Sequence, residues 1–128
     1  MEREKLNELG GIILDACIAV HKELGPGLLE SAYTCALLHE FELRNIQARA
    51  QVPVEAVYKG KPLGKVYVID ILIENEIILE IKAVDAIAPI YTAQLITYLK
   101  LYNRKLGYLI NFNTILLKDG FKRIVHKL

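Results

Sequence analysis

The stretch VIDILIENEIILEIK, Val68 to Lys82, decides the fold. Each half is rich in Ile, Leu and Val, which favour pleated, half-buried strands, and the polar break Glu74-Asn75-Glu76 reads as a hairpin loop. Yet Asp70, Glu80 and Lys82 sit inside the two strands. Ionised groups within a sheet are costly unless they are paired or bound to a metal. Two readings follow: a solvated face with a cross-strand salt bridge, or an acidic metal site with a lysine beside it.

Strand geometry narrows the choice. Side chains two apart share a face, so Glu80 and Lys82 point one way, while Ile77, Leu79, Ile81 and Ala83 point the other, toward a packing helix. A loop of Glu74-Asn75-Glu76 sets Asp70 opposite Glu80; a shorter loop of Asn75-Glu76 sets it opposite Ile81, on the apolar side. An aspartate without a partner in that layer is costly, which favours the longer loop. Two carboxylates brought together in this way repel unless a cation lies between them. Oxygen ligands with room for water suit Mg²⁺ or Mn²⁺, and a lysine alongside can position water and stabilise developing negative charge. Opposite charges also pair routinely across strands, so spacing alone leaves both readings open.

Around this hairpin the chain reads as helix, helix, three strands, helix, strand and short strands. Leu6, Leu9, Ile13, Ala16, Cys17, Val20 and Leu24 recur at helical spacing, and the Gly25-Pro26-Gly27 breaker ends that helix. A second helix, from about Leu28 to Arg44, is apolar nearly all round and is expected to be buried. Strands are expected from VPVEAVY, from about Gly64 to Ile73 after a Lys59–Pro62 turn, and from about Ile77 to Val84. Pro89 suits the first turn of a third helix running to about Tyr102. LGYLINF (Leu106 to Phe112) is a buried strand, and ILL and FKRIV are short strand-like pieces around the Lys118-Asp119-Gly120 turn. Three strands followed by a helical crossover predict a mixed α/β sheet with helices packed on it, all within one domain, residues 1–128.

Composition excludes several classes. Apolar residues make up 53% of 128 residues with no low-complexity tract, which excludes a disordered chain. No apolar run approaches the ~20 residues that span a bilayer, and the charged start MEREKLNELG lacks a signal-peptide pattern. A cytoplasmic protein is expected, with Cys17 and Cys35 as reduced core thiols. The net charge of +1 exerts no global pull on nucleic acid. From Arg104 onward, however, Arg104, Lys105, Lys118, Lys122, Arg123 and Lys127 face only Asp119, a segment able to meet phosphates.

Glu30 lies on the helix face that also carries Tyr33, Thr34, Leu37 and Phe41, so its carboxylate needs a cation, a lysine or the helix N-terminus itself. Gln94 and Tyr98, four apart, share a face of the third helix. His21, His39 and His126 have no common motif spacing, and no phosphate loop, GxSxG or dinucleotide fingerprint occurs.

LGPGLLESAY (Leu24 to Tyr33) resembles the signature of the GxxExxY proteins, with Gly27, Glu30 and Tyr33 at the named positions. The resemblance continues through QVPVEAVYKGKPLG, IDILIENEIILEIKAV, AQLITYLK, LGYLINF and LLKDGFKRIV. That family is placed in the PD-(D/E)xK nuclease-like superfamily, which implies a restriction-endonuclease-like αβββαβ core. It implies Asp70 as the first-motif aspartate, Glu80 and Lys82 as the (D/E)xK pair, and Glu30 as the acid from the first core helix. Gln94 and Tyr98 match polar positions on the helix after the third strand; Ile69 stands where the motif name has proline. The implied activity is Mg²⁺- or Mn²⁺-dependent hydrolysis of nucleic acid, DNA foremost. Asp70, Glu80, the Ile81 carbonyl and Glu30 would hold the metal; Lys82 and Gln94 would serve catalysis; Tyr98, Tyr33, Lys122 and Arg123 would touch substrate. A catalytically silent nucleic-acid-binding or assembly module retaining the fold is the alternative. The apolar content is compatible with a homodimer, and no membrane partner is expected.

Overall fold

The computed structural model describes all 128 residues, Met1 to Leu128. The apolar stripe of the N-terminal segment becomes α1, Arg3–Leu24, with Leu6, Leu9, Ile13, Ala16, Cys17 and Val20 buried. Gly25 stops it by taking φ +69°, a left-handed value that glycine adopts without steric cost. Next come α2 (Glu30–Leu43), β1 (Ala48–Tyr58), β2 (Lys61–Ile73) and β3 (Ile77–Lys82). α3 (Pro89–Tyr102) opens on its proline, whose missing N–H would have no helical partner there. β4 (Leu106–Asn111), a 3₁₀ turn at Leu117–Gly120 and β5 (Phe121–Val125) complete the chain.

The five strands form one sheet in chain order, antiparallel throughout except for β3 and β4, which α3 connects in parallel. This is the expected mixed α/β sheet with flanking helices. One core lies between the sheet and α1 and α2, holding Ile71, Ile73, Ile77, Leu79, Ile81, Ile110 and Phe112. The other lies under α3, holding Val52, Val54, Ile69, Leu72, Ile78, Leu95, Tyr98, Leu99, Leu109 and Ile124. β3 alternates cleanly between them, so Glu80 and Lys82 take the α3 side with Ile78.

β2 does not alternate cleanly. Ile71 and Ile73 enter the α1–α2 core, but Ile69 enters the α3 core with Leu72, so the strand has turned about its axis at Asp70. Its neighbour breaks at the same level: Gln51 of β1 has φ +55°, strained for a residue with a Cβ, and no ladder pair joins it to Asp70. Beyond Asp70, β2 leaves β3 and pairs with β1 alone.

Several expectations need correction. α2 is not buried all round: only Tyr33, Leu37 and Phe41 are, because nothing covers its outer side. Cys35 lies on that outer side and is exposed, whereas Cys17 is buried, its thiol pKa raised by burial. The Lys59–Pro62 turn is tighter than expected, with Tyr58 already paired to Lys61, so β2 starts at Lys61. β3 ends at Lys82 rather than Val84. Ile115 and Leu116 are exposed loop residues and Leu117 begins the 3₁₀ turn, so ILL is not a strand. No helix is long and apolar enough to cross a membrane.

Candidate active site

The longer hairpin loop is the one formed. Ile73 pairs with Ile77 and Ile71 with Leu79, so Asp70 and Glu80 lie next in register on facing strands. Glu74 and Asn75 take left-handed φ of 49° and 57°, and Arg104 fixes the loop by donating to the Asn75 carbonyl and side-chain oxygen. At Asp70 and Glu80 the backbone ladder gives way to side chains. The Asp70 N–H donates to Glu80 Oε2 at 2.9 Å, and the Ile81 N–H donates to Asp70 Oδ2 at 2.8 Å. One oxygen of each carboxylate is thereby tied to the opposite strand; Asp70 Oδ1 and Glu80 Oε1 have no protein partner. The N–H and C=O of a strand residue leave on the same edge, so the Ile81 carbonyl faces this gap as well.

Glu80 is 3% exposed, which excludes the solvated-face reading. Burial first, then the Asp70 charge, pushes its pKa well above the ordinary carboxylate range. Asp70 is shifted upward too, chiefly by burial and against the pull of the Ile81 N–H and Lys82. Lys82 makes no ion pair with either; its ammonium sits 4.5 Å from the centroid of the Tyr91 ring. The salt-bridge reading therefore fails as well. What remains is a carboxylate pair, Glu80 buried and Asp70 half-buried, with no ion pair to either acid and a proton held on Glu80 more tightly than usual.

The other expected residues fall at different distances from this pair. Glu30 is exposed although it shares the face of Tyr33 and Leu37, because it is the first residue of α2 and the buried stripe begins one turn on, at Tyr33. It still shares a cleft of about 440 Å³ with Asp70 and Gln51 and adds to the upward shift on both acids. Tyr98 is buried under the pair, its pKa pushed up to about 12 by burial and then by Glu80 and Asp70. Gln94 lines a cleft of about 300 Å³ on the α3 side with Tyr67, Tyr91 and Thr97.

Three expected substrate contacts are not brought to the pair. Tyr33 has no exposed surface; its ring stacks on Phe112 at 4.5 Å. Its hydroxyl donates to the Gly25 carbonyl at 2.6 Å and accepts the Leu28 N–H at 3.1 Å. It pins the Gly25–Leu28 turn and is withdrawn as a substrate contact. Lys122 and Arg123 lie on β5, two strands from β3 and on opposite faces: Lys122 donates to Thr92 of α3, Arg123 to Asn7 of α1. Alternation along β5 splits them, so they do not make one basic patch.

Two residues escaped the sequence reading. Tyr91 carries the lysine, and its i, i+3, i+7 spacing with Gln94 and Tyr98 was the available signal. Asn111, 3% exposed and paired with Lys82 in the parallel ladder, clamps the segment after β3. Its Oδ1 accepts from Val84 N–H at 3.1 Å and its Nδ2 donates to the Val84 carbonyl at 2.9 Å. An asparagine ending an apolar strand carried no such signal.

The donor set fits a divalent cation. Asp70 and Glu80 each keep one carboxylate oxygen without a protein partner on facing strands, and no ion pair neutralises either. No three His, Cys, Asp or Glu side chains form a cluster able to hold a metal, so Glu30 does not complete a set with this pair.

A family model described as the PD-(D/E)XK nuclease superfamily matches residues 7–124. Neither any curated protein nor any solved structure matches the chain.

Proposed function

Because the chain belongs to the PD-(D/E)XK nuclease superfamily, we propose that it is a metal-dependent nuclease that hydrolyses phosphodiester bonds, with DNA as its substrate. The observation that carries this reading is the Asp70–Glu80 pair. Glu80 is buried and Asp70 half-buried, each is held by a backbone N–H of the facing strand, and each keeps one oxygen free. We also place the chain in the GxxExxY group on Gly27, Glu30 and Tyr33, with Tyr33 as the residue that shapes the turn before Glu30.

Asp70, Glu80 and the Ile81 carbonyl would hold Mg²⁺ or Mn²⁺, with Glu30 acting through water from across the cleft. Such an ion, when bound, supplies a lowered water pKa and neutralises phosphate charge. Lys82, free of any carboxylate and backed by Tyr91, orients the attacking water and stabilises the charge that develops on the phosphoryl oxygens. The Gln94 amide, in the cleft beside Tyr91, can hold a phosphate or a base edge. Tyr98 shields the floor of the site from water.

The test is calorimetric Mg²⁺ and Mn²⁺ binding, followed by cleavage of a mixed panel of DNA and RNA by wild type, Lys82→Ala and Asp70→Asn. Metal binding lost in Asp70→Asn and cutting lost in both variants support the mechanism. No binding at millimolar metal, or cutting indifferent to both substitutions, overturns it.

A further inference from the structure

We propose that the free end of the β1–β2 hairpin, residues 55–68, is a duplex-DNA-gripping ribbon that holds substrate against the Asp70–Glu80 site. This inference rests on the nuclease reading and adds the form of the substrate and the surface that binds it. β2 pairs with β3 only from Ile71 to Ile73; from Asp70 toward the tip its one neighbour is β1. Every residue from Val57 to Val68 is exposed. The ribbon is therefore two strands wide and about 20 Å long at the usual rise per residue. A two-stranded ribbon of this width enters the major groove of B-DNA, roughly 12 Å across.

Its charge is one-sided. Lys59, Lys61 and Lys65 stand against Glu55 alone, and none of the three lysines is in an ion pair. Lys61 pairs with Tyr58 and Lys65 with Glu55, and Lys59 lies on the turn beyond them, so the positive charge runs back from the tip. A run of unpaired ammonium groups along the ribbon can meet the phosphates that line the groove. Register shifts at Val54/Glu55 and Ala56/Val57, with Gly64 at φ +86°, add local twist. Val57, Leu63, Val66 and Val68 are 42–62% exposed and supply apolar contact of the kind thymine methyl groups accept.

The same charges argue against a second copy as the occupant. A two-fold dimer through this ribbon gathers six lysines against two glutamates, an excess of like charge that opposes association. The root of the ribbon is Asp70 itself, so a duplex seated on it is positioned relative to the carboxylate pair by continuous backbone.

The experiment measures anisotropy of a labelled 20-base-pair duplex, and of one of its strands alone, over a salt series in EDTA so that nothing is cut. Wild type is compared with Lys59→Ser/Lys61→Ser/Lys65→Ser and with Lys5→Ser/Lys22→Ser/Lys100→Ser, which removes equal charge elsewhere. The expected result is duplex preferred over single strand, and a plot of log K against log salt shallower by about 2–3 in the ribbon variant. The control should keep the wild-type slope. Equal slopes in all three proteins, equal loss in the control, single-strand preference, or a change of sedimentation mass in the ribbon variant overturns the proposal. These readouts need no catalysis, so a protein that binds through the ribbon but never cuts overturns the nuclease reading alone. One that cuts with its salt slope untouched overturns the ribbon alone.

Discussion

Asp70 and Glu80 hold one another's strands: the Asp70 N–H donates to Glu80 Oε2, and Asp70 Oδ2 accepts from Ile81, the residue after Glu80. Each acid therefore does structural work with one oxygen and leaves the other without a protein partner, the oxygen that the proposed mechanism gives to a cation. Glu80→Gln retains an acceptor for the Asp70 N–H but loses the charge. The expected outcome is a folded protein whose Mn²⁺ affinity in calorimetry falls by about tenfold or more, at 1.4 kcal/mol per tenfold. Glu30→Gln, acting from an exposed position, should cost less than that.

The same pair sets a pH dependence. Folding raises the Glu80 pKa from 4.5 to about 8, with burial the larger cause and Asp70 the second. A carboxyl that holds its proton more tightly when folded loses stability as pH rises between its unfolded and folded values. Metal-free protein should therefore show a Tm that falls from about pH 5 to about pH 8, and Glu80→Gln should flatten that slope. Added Mn²⁺ should raise the Tm more at the alkaline end, where both ligands are deprotonated. A slope unchanged in Glu80→Gln would remove Glu80 as its source.

How much of this was legible follows from what each residue encodes. Period-two patterning and loop length placed Glu80, Lys82 and Asp70 correctly, because a register slip would have buried Asp70 against Ile81. The turn of β2 at Asp70 was not legible, since it depends on a left-handed Gln51, a residue type that gives no sign of it. Helical spacing gave the buried face of α2 but not how little covers its other side, hence the error at Cys35; Glu30 takes the expected face and is exposed because it opens the helix. Lys122 and Arg123 read as one patch in sequence and lie on two faces in the sheet, because neighbours on a strand always do.

Tyr33 separates stability from function. Tyr33→Phe keeps the stack on Phe112 but leaves the Gly25 carbonyl and Leu28 N–H without their partner. Unfolding should become easier by about 1–3 kcal/mol, with the Tm down by several degrees and KM for DNA unchanged. A raised KM at unchanged Tm would return Tyr33 to the substrate.

Lys82 and Tyr91 give the sharpest case. The ammonium has no carboxylate partner and lies over the Tyr91 ring, so the ring face is the one named group that fixes its direction. Such a contact is worth about 0.5–2 kcal/mol, and 1.4 kcal/mol is tenfold in rate. Tyr91→Ala should slow kcat by about 2–30-fold without weakening Mn²⁺ binding, because neither Asp70 nor Glu80 bonds to it. Tyr91→Phe keeps the ring and should restore kcat, whereas Lys82→Ala removes the charge itself and should cost about 10²–10⁴-fold. The comparison isolates the ring from its hydroxyl. Should Tyr91→Phe be as slow as Tyr91→Ala, the hydroxyl would carry the effect, and Lys82 would need another positioning partner on the α3 side.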